Sequence, residues 1–128
     1  MKIFLIILIT ITTLAGISLL IPGQTTTFNI EDKKLNTIAI IAENVIQCES
    51  EGNNVEIIDT NGRWSRGIAQ FQDETWQRLS TKAGIDGKST EPEKARAVLL
   101  WAIKNGYGNE WTCYRKLNKT MPELFAEI

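Results

Sequence analysis

The stretch that decides the fold is residues 47–53, QCESEGN, in which Glu49 directly follows one of the chain's two cysteines. Glu49 continues the three- and four-residue spacing of an apolar helix face. The upstream members of that face are Leu35, Ile38, Ala42, Val45 and Ile46. The helix is predicted to begin near Glu31 or Asp32 and to end at the Gly-Asn-Asn cluster, residues 52–54. The spacing therefore predicts a carboxylate on the buried side of a helix, in its last turn.

This position predicts a raised pKa for Glu49. An apolar face desolvates the carboxylate, the carbonyls at a helix C-terminus repel it, and Glu51 adds a like charge. A carboxylic acid that keeps its proton near neutral pH suits general acid catalysis of glycosidic cleavage. In the alternative interpretation, Glu49 frays into solvent at the helix end and has no catalytic role.

The middle of the chain predicts a small β element followed by helices. Residues 55–65, VEIIDTNGRWS, combine β-branched residues with a Thr-Asn-Gly turn and predict a short, irregular β-hairpin. A second helix is predicted from about Asp73. Residues 90–93, TEPE, form a capping-box pattern with proline in the first turn, and the helix that they open should end at residues 105–106.

The C-terminal part predicts one more short helix, from about Glu110 to Leu117, and a tail that docks through Leu124 and Phe125. The fold class is therefore mainly α (α+β), with a small β-hairpin after the first helix. We expect one domain over residues 35–120 and a C-terminal tail over residues 121–128, since about a hundred residues suffice for one small core.

The N-terminus predicts export. Residues 1–23 contain a strongly apolar run from Ile3 to Ile21 that is preceded by Lys2, and no further charge occurs before Glu31. Such a run is either a cleaved signal peptide or an uncleaved hydrophobic helix that anchors the chain in the membrane. Residues 24–34 are expected to be a linker. Both alternatives place the domain outside the cytoplasm, facing the cell wall from a membrane anchor or secreted into the periplasm or medium.

Export makes a disulfide plausible, and Cys48 and Cys113 are the two candidates for it. Closing a loop of this length contributes roughly 4 kcal/mol in the chain-entropy account. The alternative is a pair of buried free thiols.

The composition excludes several functional classes. The chain has no histidine, which removes Ser–His–Asp and Cys–His nucleophile systems and nearly every zinc site. The formal net charge is −1, and the basic residues are scattered. Nucleic-acid binding is therefore not expected, because it normally requires a basic patch. No metal and no organic cofactor is implied, so any catalysis must rely on carboxylates, lysine, tyrosine or backbone donors.

A second motif lies downstream of Glu49. Residues 64–76 are WSRGIAQFQDETW, and the run Ser-x-Gly-Ile-x-Gln within them follows the Cys-Glu-Ser-x-Gly-Asn of residues 48–53. Together these motifs resemble the lysozyme-like superfamily in its lytic transglycosylase branch. The two cysteines, QFQDETW and the later WTCY are most similar to the resuscitation-promoting-factor and transglycosylase-like group, in which a disulfide is similarly placed. The resemblance covers about residues 38–117.

The resemblance implies a lysozyme-like domain that cleaves the β-1,4 bond between N-acetylmuramic acid and N-acetylglucosamine in peptidoglycan. Glu49 matches the acid/base, Ser65 and Gln70 match residues that line the cleft, and Gly67 matches a close backbone approach. The Tyr-Asn pair that many transglycosylases carry near the end of the long helix is absent here, and Tyr107 lies a few residues beyond its place.

Neutral hydrogen-bonding residues support the same substrate from chemistry alone. Asn53 and Asn61 offer amides of the kind that bind sugar hydroxyls and acetamides. Trp64 is expected either to stack on a sugar ring or to pack under the hairpin. Candidate substrate-binding residues are therefore Ser65, Gln70, Trp64, Asn53 and Tyr107.

The number of carboxylates separates two reaction types. A hydrolase normally uses two, whereas a lytic transglycosylase uses one because the muramoyl 6-hydroxyl is the nucleophile. Candidates for a second carboxylate are Glu51, Glu56, Asp59 and Asp73; Asp59 is expected to serve the hairpin turn and Asp73 to cap a helix. The prediction is a monomeric lytic transglycosylase that acts on peptidoglycan glycan strands. The alternatives are a muramidase that uses Asp59, or a non-catalytic wall-binding module.

Overall fold

The computed structural model describes residues 27–128, with side chains from residue 29 onward. The helices are α1 (Thr27–Ser50), α2 (Asp73–Ala83), α3 (Pro92–Lys104), α4 (Thr112–Thr120) and α5 (Pro122–Phe125), with a 3₁₀ turn at Gly108–Glu110. The strands are β1 (Glu56–Ile58), β2 (Trp64–Arg66) and β3 (Phe71–Gln72). The predicted class, mainly helical with a small β element after the first helix, is confirmed.

Helix α1 differs from the prediction at its start. It is already helical at Thr27, so residues 27–34, which were expected to be linker, belong to the helix. No glycine or proline interrupts this segment, and its Glu, Asp and Lys side chains are compatible with a helix. Leu35, expected on the buried face, is 54% exposed, and Thr37 is buried in its neighbourhood instead.

Helix α1 ends where the sequence predicts. Its last residue is Ser50, and Glu51 and Gly52 both adopt positive φ, 55° and 79°. The Asn53 N–H then donates to the Ser50 carbonyl at 2.9 Å. This left-handed pair turns the chain toward the sheet and leaves Glu49 in the final helical turn.

The C-terminal tail docks on the domain, as predicted. Leu124 and Phe125 are partly buried against the core, and the Phe125 ring meets Tyr114 edge-on at 5.0 Å. Glu127 accepts a hydrogen bond from the Thr37 hydroxyl at 3.0 Å and pairs with Lys33 at 3.0 Å. The tail therefore closes over the N-terminal half of α1.

The β element is a three-stranded antiparallel sheet in the order β1-β2-β3, one strand more than the predicted hairpin. Ser65 pairs with Ile57 on one side and with Gln72 on the other, while Trp64 pairs with Ile58. The third strand has only two residues, too few for alternation to reveal it.

The core lies between α1, α3 and the segment that follows β2. Phe71 is fully buried at its centre and makes edge-on contacts with Trp76 at 5.0 Å and Trp111 at 5.1 Å. The buried aliphatic residues around it come mainly from one face of α1 and one face of α3: Ile38, Ile41, Ala42, Val45, Ile46, Ala95, Val98, Leu99, Ala102 and Ile103. Burying these faces holds the helices in place, and the end of α1 with them.

Helix α3 begins at Pro92, but the expected capping box does not form. Glu91 precedes the helix, and its side chain makes no hydrogen bond to a backbone N–H of the first turn. Its carboxylate instead accepts the Lys88 N–H at 2.6 Å and so closes the preceding loop. The helix ends at Lys104, followed by Asn105 and Gly106 as predicted.

The predicted signal peptide or membrane anchor, residues 1–23, lies outside the described residues. Between residues 27 and 128, no helix is both long enough and apolar enough to cross a bilayer.

Candidate active site

A cavity of about 470 Å³ lies between the sheet, the end of α1 and the start of α4. Carboxylates at its lining come from Glu49, Asp59 and Glu110. The other lining residues are mostly neutral and polar: Ile57, Thr60, Asn61, Ser65, Gln70, Phe71, Gln72, Thr75, Trp111 and Thr112. Two motifs that are separate in sequence, residues 48–53 and 64–76, therefore meet at one site.

Glu49 is half-buried at the edge of this cavity. Burial is the largest influence on its carboxyl group and raises its pKa, and the charge of Asp59 raises the pKa further. The direction is the one that the sequence predicts, but the source of the like charge is different. Asp59 faces Glu49 across the cavity, whereas Glu51 is exposed and is not among the groups that shift the pKa.

The start of α4 opposes this shift. The Cys113 N–H donates to Oε1 of Glu49 at 3.2 Å, and this hydrogen bond lowers the pKa of Glu49. Lys116 and Arg115, on the same helix, lower the pKa further through their positive charges. Glu49 therefore lies between the C-terminal end of one helix and the N-terminal end of another.

A disulfide joins these two helix ends. Cys48 and Cys113 are bridged, with their Cα atoms 5.9 Å apart and a sequence separation of 65. The predicted bridge is therefore present, and the alternative of two free thiols is not. Cys48 directly precedes Glu49, and Cys113 donates the hydrogen bond to Glu49. The bridge therefore lies directly beside the site.

Asp59 enters the cavity because of the strand alternation. It is two residues beyond Ile57, on the sheet face that also carries Ser65 and Gln72. The Ser65 hydroxyl donates a short hydrogen bond to Oδ2 of Asp59, and Nε2 of Gln72 donates to the same oxygen at 3.1 Å. The expectation that Asp59 serves the turn is wrong for its side chain. Its backbone forms the turn, while its carboxylate faces Glu49.

The other candidate carboxylates lie elsewhere. Glu56 and Asp73 both pair with Arg66, at 2.5 and 2.9 Å, on the opposite face of the sheet. Asp73 is the first residue of α2 rather than its cap, which is Gln72. Glu51 is exposed beyond the helix end. Asp59 is thus the candidate second carboxylate that shares the cavity with Glu49.

Ser65 and Gln70 line the cavity, and both are held by the tertiary structure. Ser65 is 3% exposed. Gln70 has a positive φ of 50°, and its side-chain amide donates to the carbonyls of Val55 at 3.0 Å and Gly67 at 2.7 Å. Gly67 makes the predicted close approach, because a Cβ there would lie 1.9 Å from the Ser89 carbonyl oxygen.

Three predicted substrate-binding residues do not line the cavity. Trp64 is 42% exposed on the opposite face of the sheet, with the Arg66 guanidinium 5.2 Å from its ring centre. Asn53 donates its side-chain amide to the Ser50 carbonyl at 3.0 Å and so caps α1. Tyr107 stacks on Trp101, with ring centres 5.7 Å apart and planes at 14°. All three were expected near Glu49, but the side chain of each makes its contacts outside the cavity lining.

Other lining residues were not predicted. Gln72 belongs to the short third strand, and its register opposite Ser65 is the signal that would have found it. Glu110, Trp111 and Thr112 precede Cys113, so the disulfide itself indicates that they lie near Glu49. Trp111 is buried, and its indole N–H donates to the Ala69 carbonyl at 2.8 Å.

Metal-ligating side chains do not cluster in the described part of the chain. Within residues 27–128, no group of three or more histidine, cysteine, aspartate or glutamate side chains is placed to hold a metal ion. The absence of a cofactor stays a prediction from the sequence.

No protein-family model, curated protein or solved structure matches this chain. The resemblance to lytic transglycosylases therefore depends on the residues themselves and on the roles that their geometry permits.

Proposed function

We propose that the domain is a peptidoglycan lytic transglycosylase of lysozyme-like type, with Glu49 as its acid/base. The observation that carries the proposal is a half-buried glutamate with a raised pKa at the edge of a cavity. Perturbed carboxyl groups in cavities are frequent catalytic acids. A protein that only binds a ligand has no need to desolvate a carboxyl group.

The cavity lining fits a glycan. Hydroxyls and amides from Thr60, Asn61, Gln70, Thr75 and Thr112 surround Glu49. Such groups donate to and accept from sugar hydroxyls and acetamides without carrying a charge. Trp111 and Phe71 supply the apolar wall that usually accompanies them in a ligand site.

The chemistry requires one group that first donates and then accepts a proton. Protonated Glu49 donates its proton to the glycosidic oxygen, and the bond from that oxygen to C1 of the muramoyl residue breaks. Ionised Glu49 then accepts the proton of the muramoyl 6-hydroxyl, whose oxygen closes onto C1 as a 1,6-anhydro ring. Because the substrate supplies the nucleophile, no second carboxylate is needed.

One observation favours a hydrolase as the second candidate. Both hydrogen bonds that the Asp59 carboxylate accepts from the described residues fall on Oδ2, so Oδ1 is left for a water or a sugar. Two carboxylates on one cavity, one with a raised pKa, match the acid and second-carboxylate roles of a muramidase. In this route water replaces the muramoyl 6-hydroxyl, and the product has a reducing end.

Mass spectrometry of fragments released from purified peptidoglycan by the full chain tests the proposal. Glu49→Gln should abolish release, because general acid–base catalysis contributes roughly 10²–10⁴-fold. Glu51→Gln is the matched control: it removes the same charge two residues away, at an exposed position outside the cavity lining. It should retain activity.

The products then distinguish the candidates. Anhydro-ended muropeptides support the transglycosylase, and reducing ends support the hydrolase with Asp59. If the chain binds peptidoglycan but Glu49→Gln changes nothing, the domain is a wall-binding module and the proposal fails. The expected location, outside the cytoplasm and facing the cell wall, stays part of the proposal and is tested by fractionation of cells that express the full chain.

A further inference from the structure

We propose that Cys113 is a positioning residue for Glu49, and that its disulfide with Cys48 makes glycan cleavage depend on the bridge being oxidised. The inference rests on the proposed function, since it concerns the same acid. It goes beyond that function by assigning the bridge a role in the reaction.

The bridge connects the two residues that determine where the acid lies. Cys48 directly precedes Glu49, and Cys113 supplies the N–H that contacts Oε1 of Glu49 at 3.2 Å. Glu49 and the donor of its hydrogen bond are therefore also connected covalently, through the backbone of Cys48 and the disulfide. Without the bridge, this local geometry depends on the packing of α4 alone.

The groups that act on Glu49 are divided between elements. All those that lower its pKa belong to α4: the Cys113 N–H, Lys116 and Arg115. Burial and the charge of Asp59 raise it. Loss of the bridge should weaken the hydrogen bond from Cys113 first, because such a bond depends steeply on distance and angle, whereas the burial persists while Tyr114 keeps α4 packed on the core.

The consequence has a definite sign. Loosening the start of α4 should raise the pKa of Glu49, because the ionised form loses the hydrogen bond from the Cys113 N–H while the carboxyl group stays buried. The alkaline limb of the pH profile of kcat/KM should then move to higher pH. At the same time kcat should fall, because an acid that is no longer held in place transfers its proton less well.

The switch itself is thiol–disulfide exchange with a small dithiol. One thiolate of the dithiol attacks a sulfur of the bridge, the Cys48–Cys113 bond breaks, and the second thiolate closes the dithiol to its own disulfide. Two electrons and two protons pass to the protein, which leaves two cysteine thiols. Cys48 is exposed whereas Cys113 is buried, so the reagent has its approach from the Cys48 side.

The test combines a titration with kinetics on the full chain. The Glu49 carboxyl resonance, assigned by its absence in Glu49→Gln, is followed against pH by ¹³C NMR in the oxidised protein, the dithiol-reduced protein and Cys48→Ser/Cys113→Ser. The expected result is a higher Glu49 pKa in both bridge-free forms. We also expect about a tenfold loss of kcat, because the proton donor is no longer held in place, with a smaller change in KM.

Leu79→Ala is the control. It removes a fully buried side chain of α2, a helix that carries neither Glu49 nor a cysteine, and leaves the bridge intact. It should lower the melting temperature without moving the titration of Glu49. Circular dichroism recorded through a dithiol titration shows whether helices survive reduction.

Each outcome decides the question. An unchanged Glu49 pKa and an unchanged kcat after reduction would overturn the inference. A loss of helical signal in step with the loss of activity would also overturn it, because the bridge would then be purely structural. A Glu49 pKa that moves in a protein that never cleaves peptidoglycan would retain the positioning role and refute the proposed function instead.

Discussion

The two faces of the small sheet are built from the same strands and differ in almost every respect. On the face toward Glu49, Ser65 is buried and its hydroxyl binds Asp59, with Gln72 beside it. On the other face, Ile58 is 57% exposed and Trp64 is 42% exposed. The inner face gathers polar groups around one carboxylate, whereas the outer face carries ion pairs and apolar side chains in solvent.

This difference shows how strongly a one-residue step decides function in a strand. Trp64 and Ser65 are neighbours in sequence, yet only Ser65 reaches the cavity, because successive side chains point to opposite faces. Asp59 reaches the cavity for the same reason. Proximity in sequence to Glu49 is therefore a poor guide to the site, whereas register is a good one.

The largest expected effect comes from the glycine that orients the whole sheet. Gly67→Ala should destabilise the domain by at least about 3 kcal/mol, because its φ is 79° and its Cβ would meet the Ser89 carbonyl. Gly62→Ala is the matched control, with φ 74° and open space around it, and should cost about 1 kcal/mol. Urea unfolding compares them, and equal costs would show that Gly67 does not fix the sheet.

The second effect compares adjacent residues on opposite faces. Ser65→Ala removes a buried donor from Asp59 and should lower the free energy of unfolding by about 1–3 kcal/mol. Trp64→Ala should change it by no more than about 1 kcal/mol, because the ring is exposed and its main partner is Arg66. Thermal melts of both variants test this, and a larger loss for Trp64→Ala would reverse the assignment of the two faces.

The third effect compares two carboxylates near the two ends of β1. Asp59→Asn removes a like charge from Glu49 and so lowers its pKa, which leaves less of the acid protonated at neutral pH. Activity on peptidoglycan at neutral pH should therefore fall, and the alkaline limb of the pH profile should move to lower pH.

Glu56→Gln is the control for Asp59→Asn, since it removes the same charge on the outer face. Its ion pair with Arg66 lies at the surface, where such pairs add little to stability, and the pH profile of this variant should match that of the unmodified chain. A profile that moves equally in both variants would mean that the general field of the domain, rather than Asp59, acts on Glu49.

The smallest expected effect is the pH-dependent contribution of Glu49 to stability. The pKa of Glu49 is raised in the folded state, so its contribution to stability is fully present below its ordinary pKa and is lost as the pH rises through the raised value. Glu49→Gln should therefore melt at a higher temperature than the unmodified chain at pH 7 and at about the same temperature at pH 3.

The gain should be small, because the half-buried carboxyl is partly screened by solvent. The glutamine side chain of this variant would also keep an oxygen that accepts from the Cys113 N–H. Glu51→Gln, at an exposed position, should show no such pH-dependent difference. A Glu49→Gln variant that is less stable at both pH values would indicate that the carboxylate is not desolvated.

Much of the fold could be predicted because it depends on local signals. The spacing of Ile38, Ala42 and Val45 predicts the buried face of α1, and the glycine that follows Glu51 predicts its end. The start of α2 at Asp73 and the end of α3 at Lys104, just before Asn105 and Gly106, follow from the same kind of signal. Leu35 is the instructive failure, because helical spacing cannot tell where the neighbouring elements stop covering a face.

The sequence by itself determined which residue is the candidate acid, which two cysteines are able to pair and which motif faces it. It could do so because helix periodicity and motif spacing are patterns of residues close together in the chain, and because the chain has two cysteines. Only the tertiary structure decided what surrounds Glu49. The Asp59 carboxylate, the Cys113 N–H and the cations of α4 reach it through strand register and helix packing, and these pair residues that are far apart in sequence. The pKa of a carboxyl group depends on such neighbours and on burial, so the sequence predicts its direction while the fold decides its causes.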